Sequence, residues 1–159
     1  SVVVIGIAGV VGVLVAMLAM GEGFQATLKG TGSDDRAIIL RGGSRSGPNF
    51  RAADIEDVCG RLSGALLPES VMVDCSHGNS NKDHRKQVDV VADVSSQIAS
   101  GSRRIFGVMI ESHLVEGRQT HVAGTPLVYG QSITDACLAL DQTTPLLEQL
   151  ARAHRSARR

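Results

Sequence analysis

Apolar residues gather in three short runs along the second three-quarters of the chain. Ala37-Ile38-Ile39-Leu40 leads into Arg41-Gly42-Gly43, Val71-Met72-Val73-Asp74-Cys75 leads into Ser76-His77, and Ile105-Phe106-Gly107-Val108-Met109-Ile110 leads into Glu111. Each run has strand length and is bounded by turn-forming residues, which predicts strands over 36–40, 71–75 and 105–110. The intervening segments change period. From Arg51 to Leu66, Ile55, Val58, Leu62 and Leu66 recur at steps of three and four, and Pro68 ends the pattern. From Lys82 to Ala99, Val88, Val91, Val94 and Ile98 share one helical face, and Gly101 closes it. Ser112 to Gly130 reads as a long loop. Ser132 to Arg152 reads as a last helix with a kink near Pro145.

The order β-α-β-α-β-α predicts a parallel sheet with helices packed on it. Three such strands do not close a barrel, because eight strands and their helices need about 250 residues. The expectation is therefore an α/β fold holding less than half of a barrel. Parallel strands place their carboxyl ends together. Arg41, His77 and Glu111, spaced by 36 and 34 residues, should then meet at one end of the sheet, where β/α barrels carry their sites.

The amino-terminal part differs. Residues 2–20 contain no charged or polar side chain. Hydropathy makes this stretch a transmembrane-helix pattern, and the alternative is a buried helix or strand pair. Gly6, Gly9 and Gly12 weaken a helix in water but suit close helix packing in lipid. Gly21 to Gly23 reads as a turn, Phe24 to Leu28 as a short strand, and Lys29 to Asp35 as a second turn. The expected division is 1–35, a divergent apolar helix and hairpin segment, and 36–159, the β/α units.

Composition narrows the function classes. The 159 residues carry 16 basic and 16 acidic side chains, which argues against nucleic-acid binding by bulk electrostatics. The basic tail from Arg152 to Arg159 reads as a solvated helix end. Cys59, Cys75 and Cys137 are odd in number and lack CxxC spacing, so a reducing cytoplasm is the expected setting. Cys75 and Cys137 read as buried packing residues.

Several polar residues at the strand ends suit chemistry. Arg41 before two glycines suits a phosphate or carboxylate, or simply a surface turn. His77 suits a metal ligand, a general base or a satisfied polar residue. Glu111 ends an apolar strand and needs a partner. Asp135 either joins them or caps the last helix. A His, Glu and Asp set is a nitrogen and oxygen site of borderline hardness, suited to Mn²⁺, Fe²⁺, Co²⁺ or Zn²⁺.

As strings these residues are more specific than singly. Ile39-Leu40-Arg41-Gly42-Gly43, Gly47-Pro48-Asn49-Phe50, Asp74-Cys75-Ser76-His77-Gly78-Asn79-Ser80, the run Gly107 to Gly117 containing Met109-Ile110-Glu111-Ser112-His113, and Tyr129 to Cys137 containing Ser132-Ile133-Thr134-Asp135-Ala136-Cys137 follow in order. From about Ala37 to Arg152 the chain resembles the carboxyl-terminal part of the class I DAHP synthases (3-deoxy-D-arabino-heptulosonate-7-phosphate synthases, or phospho-2-dehydro-3-deoxyheptonate aldolases). The resemblance implies the carboxyl-terminal portion of a TIM (β/α)8 barrel. It implies condensation of phosphoenolpyruvate with erythrose 4-phosphate, the first step of the shikimate pathway to aromatic amino acids. It also implies a divalent metal, Mn²⁺, Fe²⁺ or Co²⁺, held by His77, Glu111 and Asp135, and Arg41 as a contact to phosphoenolpyruvate.

The family's Gly-Pro-Cys-Ser motif, which brings a fourth, cysteine ligand, does not occur in this chain. Neither does its Lys-Pro-Arg-Thr substrate motif. The isolated chain is therefore expected to be inactive alone and to work as a homo-oligomer or with a complementing amino-terminal half. Two other expectations follow from the same residues. One is a non-catalytic remnant with a partial metal and phosphate site. The other is a module anchored to a membrane through residues 2–20.

Overall fold

A computed structural model describes residues 38–158. Two units, Ser1–Ile39 and Leu40–Arg159, divide the chain. The expectations for residues 2–20, for the turns and strand up to Asp35, and for the segment 1–35 as a whole lie outside the described residues. Among the described residues no helix is long and apolar enough to cross a membrane.

The elements in chain order are β1 (Ile38–Leu40), α1 (Ala52–Gly64), β2 (Val71–Asp74), a 3-10 turn (His84–Lys86), α2 (Gln87–Ala99), β3 (Ile105–Met109), β4 (Ser112–His113), β5 (Val115–Arg118), β6 (Gln131–Ser132), β7 (Leu138–Ala139) and α3 (Leu140–Ser156). The first three strands form one sheet in the order β1-β2-β3. β2 and β3 run parallel, with Met72 beside Gly107, Val73 beside Val108 and Asp74 beside Met109. The pairing continues past the strand end, where Cys75 N donates to Met109 O at 2.8 Å. Val71, Val73 and Cys75 are fully buried, together with Ile55, Cys59 and Leu62 of α1 and Val90, Val91 and Val94 of α2. Alternate β2 residues thus face the helices, and this apolar layer drives the packing.

The helices differ from the spacing-based expectation in ways that have physical causes. In α1 the buried face is Ile55, Cys59 and Leu62. Leu66 is turned out to solvent at 95% exposure. The chain reverses there, with Leu66 at φ 59 and Leu67 N donating back to Leu62 O at 2.9 Å, so Leu66 falls past the helix and off its core face. In α2 Val88 is exposed and Gln87 is fully buried, because Gln87 serves the end of β3. Cys59 and Cys75 pack in the core as free thiols, whereas Cys137 is only half-buried.

The stretch 112–130, expected as a loop, contains β4 and β5. β4 pairs in parallel with β7, and β5 pairs in parallel with β6. These strands are two to four residues long and, apart from Val115, Leu138 and Ala139, built from Ser, His, Glu, Gly, Arg and Gln. No alternating apolar pattern marks them. The last helix starts at Leu140 rather than Ser132, because 131–139 is spent on β6, β7 and the turn between them. Gln142 Oε1 accepts from Ala139 N at 2.7 Å and fixes that start. α3 then runs through Pro145 to Ser156 and lies along α2.

Candidate functional site

The segments that follow β1 and β2 touch backbone to backbone. A Cβ on Gly42 would sit 2.7 Å from the carbonyl carbon of Gly78, and one on Gly78 would sit 2.6 Å from that of Gly42. Only glycine permits this approach, and Gly42 also takes φ 67. Asn79, buried to 3%, stitches the same junction. Its Nδ2 donates to Leu40 O at 2.9 Å and to Asp74 O at 2.8 Å. Its Oδ1 accepts from Asn49 N at 2.7 Å. Arg41 is thereby brought beside the end of β2.

That end is a tight polar turn. Ser76 N donates to Asp74 Oδ1 at 2.8 Å, and Ser76 Oγ donates to Glu111 Oε2 at 2.6 Å. His77 adopts φ 47, which swings its ring back across the strand ends. Its Nδ1 lies 2.9 Å from Asp74 Oδ2. Its Nε2 lies 3.4 Å from Glu111 Oε1 and 3.9 Å from Asp135 Oδ2. Arg41 Nε stands 3.8 Å from Asp74 Oδ2. Burial pushes the Asp74 carboxyl above the ordinary aspartate value, against the opposing pull of His77, the Ser76 N–H and Arg41.

Glu111 is held from behind by Gln87. Glu111 N donates to Gln87 Oε1 at 2.8 Å, and Gln87 Nε2 donates to Glu111 O at 3.1 Å. The amide side chain acts as a one-residue strand partner for the Glu111 peptide. Leu138 N also donates to Glu111 O, at 3.0 Å. Asp135 lies on the exposed turn between β6 and β7, five residues before α3, and does not cap that helix.

The structure thus brings together all four residues singled out from the sequence. His77, Glu111 and Asp135 each offer a ligand atom within 4.8 Å of the others. Donors bound to one ion at about 2.0–2.2 Å lie roughly 3–4 Å apart; the His77 separations of 3.4 and 3.9 Å fall in that range, and a small side-chain adjustment would draw in the rest of the set. The His nitrogen and two carboxylates are also donors such ions accept. Asp74, Ser76, Asn79 and Gln87 were not singled out. The first three stand in the quoted motif, but their side chains act on backbone, His77 and Glu111 rather than at the opening of the site. Burial drives the Cys75 thiol up to about 12, with Asp74 adding to it. Cys137 is raised as well, first by burial and then by Glu111 and Asp135, against a hydrogen bond with Ser132. Neither thiol is primed as a nucleophile.

Residues 11–148 match the model of the DAHP synthetase I family. The chain belongs to that family. It is 52% identical over 131 residues to the phospho-2-dehydro-3-deoxyheptonate aldolase of Haemophilus influenzae, covering 82% of this chain and 36% of that one. It is 50% identical over 136 residues to the Phe-sensitive phospho-2-dehydro-3-deoxyheptonate aldolase of Escherichia coli strain K12, covering 86% and 38%. Among solved structures, the phospho-2-dehydro-3-deoxyheptonate aldolase of Francisella tularensis SCHU S4 superposes with a TM-score of 0.75 at 48% identity, covering 79% of this chain and 36% of that one. The chain spans little more than a third of these relatives. Its α/β architecture is the corresponding portion of a β/α barrel.

Proposed function

We propose that this chain supplies the carboxyl-terminal part of a DAHP synthase, an aldol-type transferase that joins phosphoenolpyruvate to erythrose 4-phosphate in the first step of the shikimate pathway. The convergence of His77 and Glu111, at the carboxyl ends of two parallel strands, with Asp135 and Arg41 carries this reading. His77, Glu111 and Asp135 would hold a divalent ion. When bound, such an ion polarises an aldehyde oxygen as a Lewis acid.

The chain's own residues do the rest. Arg41, partly exposed at the rim of the site, offers its guanidinium fork to the phosphate or carboxylate of phosphoenolpyruvate. Ser76 fixes one oxygen of Glu111 and leaves the other facing His77. The Gly42 and Gly78 backbones keep the arginine and the histidine in register. In the overall reaction carbon 3 of phosphoenolpyruvate bonds to the aldehyde carbon. Water adds at carbon 2, and inorganic phosphate leaves.

The cysteine ligand and the lysine-bearing substrate motif of the family have no counterpart in this chain. The 159 residues alone would therefore be inactive. Among the described residues the sheet ends at β1 and β3, and open strand edges pair with further strands. A complementing amino-terminal portion, or a homo-oligomer, is the proposed partner, in a cytoplasmic setting. Joining this chain to the amino-terminal portion of the Haemophilus influenzae relative tests the proposal. The fusion should form DAHP and release phosphate from the two substrates, and His77→Ala in it should abolish both. A folded fusion that binds Co²⁺ yet converts neither substrate would refute the assignment.

A further inference from the structure

We propose that Asp74 is the positioning residue of this site: its buried carboxylate sets the tautomer and ring direction of His77 and, through Ser76, the direction of the Glu111 carboxylate, so that both face one divalent cation. The proposal rests on the metal reading above.

Asp74 has no exposed surface. A buried carboxylate is costly unless its oxygens find partners; site residues stand against both, and Oδ1 alone has a hydrogen bond. Oδ1 accepts from Ser76 N at 2.8 Å, and the same serine donates Oγ to Glu111 Oε2 at 2.6 Å. Oδ2 is shared between His77 Nδ1 at 2.9 Å and Arg41 Nε at 3.8 Å.

Asp74 Oδ2 faces His77 Nδ1 at 2.9 Å, and a proton on that nitrogen gives the carboxylate oxygen the donor it lacks. With that proton on Nδ1, the Nε2 lone pair points at Glu111 Oε1 and Asp135 Oδ2, 3.4 and 3.9 Å away. Three electron-rich atoms then face one another, an arrangement that repels itself until a cation sits among them. A carboxylate behind a ligating histidine has this orienting effect generally. The 2.9 Å approach of Nδ1 lies off the N–H axis, and neither that atom nor Asp74 Oδ2 has a linear hydrogen bond. A small ring rotation would bring the N–H onto that axis. Arg41 completes the wiring, since the anion contact and the metal ligand share one oxygen of Asp74.

The test uses the 159-residue chain and two readouts. In the metal-free chain, ¹⁵N–¹H correlation spectra that show a neutral His77 ring should place its proton on Nδ1. Finding it on Nε2 would overturn the proposal. Co²⁺ titration, followed by visible absorption, should show binding about 10- to 100-fold weaker in Asp74→Asn than in the parent chain. The band shape should change as the ring is released, and Ser76→Ala should fall between the two. An Asp74→Asn chain with parent-like circular dichroism, unchanged Co²⁺ affinity and unchanged spectrum would also overturn it. If Asp74→Asn does not fold, the tautomer alone decides. A parent chain that shows the Nδ1 proton but binds no Co²⁺ would refute the metal reading while the orienting role of Asp74 stands.

Discussion

Replacing Gln87 by methionine separates the support of Glu111 from its chemistry. The two side chains have similar length, so the fully buried space that Gln87 fills stays occupied, and His77, Glu111 and Asp135 keep their side chains. Two hydrogen bonds disappear, unequally. The Glu111 N–H loses its partner at 2.8 Å, and leaving such a part-buried donor unpaired costs about 1–3 kcal/mol. The Glu111 carbonyl loses Gln87 Nε2 at 3.1 Å but keeps Leu138 N at 3.0 Å, which limits that loss to roughly 0.5–1 kcal/mol. Burying a thioether instead of an amide returns part of this. The expected net destabilisation is ~2 kcal/mol, and the melting temperature should fall by about 4–8 °C. Urea unfolding followed by circular dichroism measures it. Co²⁺ affinity should weaken in parallel, because β3 no longer presents Glu111 at a fixed height. A stability change below about 0.5 kcal/mol would show that the amide pair does not hold the Glu111 peptide.

Three further outcomes are expected. Gly78→Ala forces a Cβ to 2.6 Å from Gly42 C and Gly43 N, so it should cost ~3 kcal/mol or more and uncouple Arg41 from the site; thermal melting with Co²⁺ titration checks both effects. Leu66→Gly relieves a left-handed, solvent-facing leucine at φ 59 and should stabilise by roughly 0.5–1 kcal/mol after the entropy of the unfolded glycine is counted; an equal or lower urea midpoint would contradict this. The Glu116 carboxyl is held below the ordinary range, first by His84 and then by Gln142. Its contribution is therefore present above the unfolded glutamate value and lost as pH falls through the depressed folded value. The stability gap between the parent chain and Glu116→Gln should close in acid, and a gap independent of pH down to acid unfolding would argue against it.

The parallel sheet was legible because its strands are continuous apolar runs and its helices repeat at 3.6 residues. Val71, Val73, Val91 and Val94 all lie in the core that this pattern implies. The convergence of Arg41, His77 and Glu111 followed from their place at strand ends, and Asp135 from the family's motif. The region 112–139 was not legible. Strands such as Ser112–His113 and Leu138–Ala139 are held by neighbours distant in sequence, and a two-residue strand shows no period. Gln87 was missed for a related reason. A glutamine in the first turn of a helix reads as solvated, and only the unpaired peptide of Glu111, 24 residues away, gives it cause to be buried. Val88 was misplaced on the core face by the same rotation of the helix that brings Gln87 inward.

The contact between Gly42 and Gly78 has a consequence for how this site can vary. Most tight contacts are negotiable, because a larger group on one side is accommodated by a smaller one on the other. Here each residue is already the smallest there is, and what each would strike first is main chain. No second substitution relieves a side chain at either position, so the two sites tolerate replacement neither singly nor in exchange. In a library of variants they should behave as fixed points 36 residues apart, while neighbours such as Arg45 and Ser46, whose side chains face solvent, drift freely between them.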